Sequence, residues 1–130
     1  MKCAELMKRD LHTARDDDSL QVVAMAMLQH ATDFVPVADF EGHFKGALTE
    51  RALLAHVVAT GRESHALKAG NLAHELPTVG PDDEAPVAEQ KMREAKKTRA
   101  AVVDAEHHLL GIVSLADLAS PPGGAGASAH

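Results

Sequence analysis

The chain has no tryptophan and no tyrosine, and its only aromatic residues besides histidine are Phe34, Phe40 and Phe44. A stacking platform for single-stranded bases is therefore not expected. Cys3 is the lone cysteine, which excludes an internal disulfide framework and a cysteine-based zinc centre and fits a reducing cytoplasm. Positive charge is not in excess: 13 Lys and Arg stand against 19 Asp and Glu, for a net charge of −6. That leaves no electrostatic footprint for duplex nucleic acid or an anionic membrane. The longest purely apolar run, residues 22–28, is far short of the roughly 20 residues that cross a bilayer. The N-terminus, Met1-Lys2-Cys3-Ala4-Glu5, opens into charge and not into an apolar signal core. What remains is ordinary globular composition, 45% apolar and 25% charged in 130 residues. A chain of that size buries roughly two-thirds of its unfolded surface, as one compact domain or two half-domains sharing a core, without a metal or disulfide staple.

What the chain does have is an internal repeat. Shifted by 65 positions, Thr13 falls on Thr78, Asp17-Asp18 on Asp82-Asp83, Val22 on Val87 and Met27 on Met92. Val37 then falls on Val102, Asp39 on Asp104, Glu41 on Glu106, His43 on His108, Gly46 on Gly111 and Leu53 on Leu118. Residues 13–53 and 78–118 thus share 11 identities in 41 positions without a gap. A repeat of this length is one supersecondary unit that cannot bury its apolar face alone and packs on its copy; the seam between copies is a natural ligand cleft.

Within each copy the local signals follow one order. Residues 3–8 suggest a short helix, and Thr13-Ala14 a brief extended stretch. Asp18 or Ser19 can cap a helix whose apolar stripe is Leu20, Val23, Ala24, Met27, Leu28 and Ala31. Residues 34–38 and 44–48 read as two strands around a turn over 39–43, and residues 50–59 as a helix stopped by Gly61. The second copy gives a lead-in over 76–79, a cap region at Asp82-Asp83, a helix with Pro86 in its tolerant first turn, strands over 99–103 and 109–113, and a last helix from Leu115. Met25, Met27 and Met92 read as core filler. The expected domains are residues 1–64, 65–119 and a disordered tail over 120–130. Cys3 and the tail stand outside the repeat and are expected to be dispensable to the fold.

The order strand–helix–Val35-Pro36-Val37-Ala38-Asp39–hairpin–Gly46-Ala47-Leu48-Thr49, followed by Ala101-Val102-Val103-Asp104 and Gly111-Ile112-Val113-Ser114-Leu115-Ala116-Asp117-Leu118, resembles a stand-alone tandem pair of CBS domains, a Bateman module. The resemblance spans nearly the whole chain short of the tail. It implies an α/β (α+β) fold of two β-α-β-β-α repeats related by a pseudo-two-fold axis. It also implies a regulatory module sensing AMP, ADP, ATP or S-adenosylmethionine in the cleft between repeats, often assembled as a homodimer and acting on a target protein. In the family's Gly-φ-φ-[Ser/Thr]-x-x-Asp motif the Asp holds the ribose hydroxyls and the Ser or Thr lies near the phosphates. That assigns Asp117 and Ser114 to the second copy's site, with Arg99 as the basic residue before the strand and Thr13, Val35 and Thr78 completing the nucleotide-binding set. The first copy departs from the motif: Ala52 stands at the Asp position, and Asp33 replaces the basic residue.

Other readings of these residues stay open. Ser114-x-x-Asp117 equally fits a helix capping box. The cluster Lys91, Arg93, Lys96, Lys97 and Arg99 equally fits a solvated helix face. The degraded first copy favours the alternative of a ligand-free structural dimerisation module. His107-His108 invites a metal reading, but it sits in a turn with no Cys or third ligand apparent, so no metal or cofactor is expected. Ser114 lies in no nucleophile elbow and has no visible base, so the chain is not expected to be an enzyme. No nucleic acid or membrane partner is expected.

Overall fold

The computed structural model of the chain describes residues 1–119; the tail expected over 120–130 lies outside the described residues. The chain forms two compact α+β units, each with a three-stranded sheet. The unit Leu11–Glu75 contains β1 (Ala14–Arg15), α2 (Leu20–Gln29), β2 (Phe34–Ala38), β3 (Phe44–Thr49), α3 (Glu50–Leu53) and α4 (Ala69–Leu72). The other unit combines Met1–Asp10, which carries α1 (Cys3–Leu6), with residues 76–119: β4 (Thr78–Val79), α5 (Ala85–Ala95), β5 (Arg99–Val103), β6 (Leu109–Ser114) and α6 (Leu115–Ala119).

Both sheets have the same topology. The lead-in strand runs parallel to the first hairpin strand, as Ala14 beside Val37 and Thr78 beside Ala101. The hairpin strands are antiparallel, with Phe34 opposite Thr49 and Arg99 opposite Ser114. Each hairpin has its irregularity at the same place, Val37/Ala38 and Val102/Val103. The 65-residue spacing of the sequence is thus a spacing of backbone register. β2, and β5 after Arg99, are continuously apolar because both faces are covered, and Val35, Val37, Ala100 and Val102 are wholly buried.

Helix starts are settled by local hydrogen bonding. Ser19 caps α2, its hydroxyl accepting the Val22 N–H at 3.2 Å. Asp18 instead accepts the Arg15 N–H at 2.9 Å, and its counterpart Asp83 accepts the Gly80 N–H at 2.8 Å. These aspartates brace the turn before each helix and do not cap it. The helix expected over 50–59 is helical throughout, but after Leu53 it widens into a π turn over Leu54–Val58. Of the α2 stripe, Leu20, Val23 and Met27 are buried while Leu28 is 83% exposed, and Met25, outside the stripe, is 62% exposed. Met25 is therefore not core filler: at one position past Ala24 it projects off the buried face.

The linear division at residue 64 is not the structural one. Met1–Asp10 packs with the second copy. Cys3 and Leu6 join a core made by Val79, Ala88, Met92, Val102 and Val113. Residues 64–75, unassigned by periodicity, do the same for the first copy: Ala69 enters its core, with Leu67, Leu72 and Ala73 packed against it. The two segments are copies of each other, offset by 66 and not 65. The Cys3 N–H donates to the Asp83 carbonyl and the Ala69 N–H to the Asp18 carbonyl, both at 2.8 Å. Lys8 pairs with Ile112 as His74 pairs with Ala47. Cys3 is thus part of the repeat and wholly buried, which overturns its expected dispensability.

Candidate functional site

Each short helix continues into a strap that crosses the last hairpin strand at its glycine. In the second unit the strap bonds to β6 on both sides, Lys8 N–H to the Ile112 carbonyl at 2.8 Å and Ile112 N–H to the Lys8 carbonyl at 3.0 Å. A β-carbon on Gly111 would stand 2.7 Å from the Lys8 carbonyl oxygen, and one on Gly46 would stand 2.6 Å from that of His74. The glycine of the Gly-φ-φ-[Ser/Thr] motif is therefore required by a backbone crossing in this fold. Three residues beyond it the strand ends and α6 begins, which fixes Ser114 and Asp117 relative to the strap.

Ser114 and Asp117 form a reciprocal capping box. The Ser114 N–H donates to Asp117 Oδ2 at 3.0 Å, and the Asp117 N–H donates to Ser114 Oγ at 3.1 Å. The other carboxylate oxygen, Oδ1, faces the Lys8 ammonium at 4.0 Å; the Asp117 side chain is 16% exposed and that of Lys8 is 65% exposed. Arg99 lies opposite Ser114 across β5 and β6. In the first unit Thr49 caps α3 by accepting the Ala52 N–H at 3.1 Å, but Ala52 has no carboxylate to return the bond.

Of the residues expected at a nucleotide site, Asp117, Ser114, Arg99 and Thr78 belong to one unit, and Thr13 and Val35 to the other. Thr13 is exposed. Val35 is wholly buried in the core of its unit, so its side chain serves packing, and only its backbone could meet a ligand. The basic cluster is partly committed elsewhere: Lys91 donates to the Thr78 carbonyl at 2.9 Å, and Arg93 pairs with Glu89 one turn away. Lys8 was missed because it lies a hundred residues from the motif it reaches. Its signal is two pairs at spacing 66, Lys2/Lys68 and Leu6/Leu72, hidden by the dominant spacing of 65.

The two hairpin turns carry a duplicated Asp-x-Glu-x-His pattern. In Asp39, Glu41, His43 and in Asp104, Glu106, His108, one ligand atom from each residue lies within 4.8 Å of the others. Contrary to the sequence expectation, His108 therefore has two further candidate ligands beside it, supplied by alternate residues of the turn. In both turns the aspartate already holds the hairpin: its Oδ1 accepts the N–H groups two and four residues on, and its Oδ2 faces the histidine Nδ1 at 3.1 Å in the first turn and 3.0 Å in the second. Partial burial pushes the Asp39 carboxyl up, but the His43 and Glu41 contacts outweigh it and leave it below the ordinary range. Asp104 is lowered chiefly by the His108 N–H. Burial, and then Asp83 and Glu84, pushes the Cys3 thiol up.

The chain is similar in sequence and in fold to known proteins. The CBS domain family profile matches residues 3–59 and 69–121. The CBS domain-containing protein YhcV of Bacillus subtilis is 30% identical over 115 residues, covering 88% of this chain and 81% of that protein. The crystal structure of Hypoxic Response Protein I, which has two coordinated zinc ions, is similar with a TM-score of 0.83 and 25% identity over 92% of this chain and 97% of that one. The CBS domain protein PAE2072 from Pyrobaculum aerophilum, complexed with AMP, is similar in fold with a TM-score of 0.78 and 23% identity, covering 90% and 89% of the two chains. No helix among the described residues is long and apolar enough to cross a membrane.

Proposed function

This chain belongs to the CBS-domain family, and we propose that it is a cytoplasmic regulatory sensor, not an enzyme, that binds an adenosyl nucleotide mainly at the Asp117 site. The observation that carries this reading is the state of Asp117. One oxygen is spent on the cap, and among the described residues the other meets only the long ion pair with Lys8. A carboxylate held in place with acceptor capacity to spare is what the two ribose hydroxyls need. Capping and ribose binding are therefore compatible roles of one side chain. A charge-assisted hydrogen bond is worth roughly 1.5–3 kcal/mol, or about one to two orders of magnitude in affinity, so the Ala52 unit should bind more weakly. The AMP carried by PAE2072 supports the ligand class. Thermal-shift titration with AMP, ATP and S-adenosylmethionine tests the reading. At about 100 times the dissociation constant the ligand stabilises by roughly 2.7 kcal/mol, a rise of several degrees. Asp117→Ala should remove that rise; an undiminished rise in the variant overturns the assignment.

A second observation supports the structural role as well. In the Leu11–Glu75 unit a groove of about 380 Å³ is lined by Leu20, Met27, Leu28, Leu53, Leu54 and Val58, and Met25, Leu28, Leu54 and Val58 are exposed beside it. The second copy has Gln90 and Arg93 at the positions of Met25 and Leu28, so this apolar face belongs to one repeat alone. We read it as a homodimer contact, with the regulated target protein unidentified. Light scattering should give twice the monomer mass, and Val58→Glu should shift it to monomer without unfolding. Val58 suits the test because it is 71% exposed, whereas Val57 packs against the core. A wild-type chain that stays monomeric at high micromolar concentration refutes the dimer.

A further inference from the structure

We infer that Lys8 sets the charge preference of the Asp117 site, selecting anionic nucleotides over the cationic S-adenosylmethionine. This rests on the reading of Asp117 as the ribose-binding carboxylate. The ammonium of Lys8 stands 4.0 Å from Asp117 Oδ1, too far for a hydrogen bond and close enough to offset the carboxylate's charge. The position is not left to a flexible terminus. The Lys8 backbone is tied to Ile112 by two hydrogen bonds, the crossing is admitted by Gly111, and the strap is anchored by Cys3 and Leu6 in the core. The two units differ at both members of the pair together: where the first has Ala52 in place of Asp117, its strap has His74 in place of Lys8.

The chemistry follows from the sign. A nucleotide's terminal phosphate carries about −1.5 to −2 at pH 7, whereas S-adenosylmethionine has a fixed sulfonium. A ribose held by Asp117 brings its 5′ substituent within one Debye length of Lys8, about 8 Å at physiological ionic strength. With Lys8 in place the Asp117 charge is balanced, so Arg99 and the phosphate meet without a net negative neighbour. Without it the site is one unit more negative and the preference moves toward the sulfonium compound.

Isothermal titration of the full chain with AMP and with S-adenosylmethionine tests this. Lys8→Met keeps the aliphatic stem and removes the charge, and Lys8→Arg restores the charge. Lys8→Met should weaken AMP binding about three- to tenfold and leave S-adenosylmethionine binding unchanged or tighter, and Lys8→Arg should bind AMP as the wild type does. The AMP difference should shrink in 0.5 M salt, roughly as screening shortens its range. Equal losses for both ligands would mean that Lys8 only shapes the site, and would overturn the inference. So would unchanged AMP binding in Lys8→Met when Asp117→Ala abolishes it, although the nucleotide site itself would then stand. Failure of the wild type to bind either compound overturns the nucleotide reading and the Lys8 inference with it.

Discussion

Gly111→Ala measures how firmly the strap is built into the fold. Gly111 has no left-handed φ, so the substitution carries no conformational strain of that kind; its cost is steric. The new methyl would lie 2.7 Å from the Lys8 carbonyl oxygen, 2.8 Å from Met7 Sδ and 2.9 Å from Met7 Cγ. The Met7 side chain can swing away, but the carbonyl is held at 3.0 Å by the Ile112 N–H. Relief therefore requires the strap to lift. Overpacking of this kind costs about 1–3 kcal/mol, and weakening the two strap hydrogen bonds adds about 1 kcal/mol each. A loss of roughly 3–5 kcal/mol lowers the melting temperature by about 12–20 °C in a chain of this size. Two further glycines calibrate the result. Gly61, with φ +72° and nothing within 4 Å of an added carbon, carries only the conformational strain, about 1–2 kcal/mol. Gly46 combines a φ of +136° with a 2.6 Å approach to the His74 carbonyl, so its substitution should cost most. Differential scanning calorimetry of the three alanine variants should rank them Gly61, Gly111, Gly46 in increasing damage. A Gly111→Ala protein melting within about 2 °C of wild type would show that the strap is not held at this crossing.

Cys3→Ser should destabilise by about 1–3 kcal/mol, because a hydroxyl without a partner would enter the core, and Cys3→Ala should be milder. In the native wild type the buried thiol, its pKa raised by burial and by Asp83 and Glu84, should react with Ellman's reagent only at the rate of unfolding; a prompt reaction refutes the buried placement. Asp39 and Asp104 have pKa values lowered by folding. Their contribution is therefore complete above the ordinary Asp range, near about 3.9, and is lost as pH falls through the lowered folded values. The melting temperature should hold from neutral pH and fall below about pH 4, less steeply in the Asp39→Asn, Asp104→Asn double variant. An unchanged slope in that variant would show that the hairpin aspartates do not carry the acid sensitivity.

Much of this protein is legible along the chain. The 65-residue spacing predicts two equal hairpins, and they form with Phe34 opposite Thr49 and Arg99 opposite Ser114, because the shared Asp-x-Glu-x-His turn and the matching apolar strand pattern around it impose the same register. Ser114-x-x-Asp117 predicts a capping box, which forms as a bond over three residues. Such features depend on neighbours a few positions apart, so sequence order alone carries them. Three others depended on contacts across long separations. The exchange of the short helices between halves follows from the burial of Cys3 and Leu6 beside Val102 and Met92, which no local periodicity encodes. The need for Gly111 arises from a carbonyl 103 positions away in the chain, that of Lys8. The approach of Lys8 to Asp117 spans 109 positions. The chain by itself determined the elements, their duplication and the one complete Gly-φ-φ-Ser-x-x-Asp motif, since hydrogen bonding and side-chain period act locally. Only tertiary structure decided which short helix completes which core and which cation faces Asp117, since burial joins residues without regard to their distance along the chain.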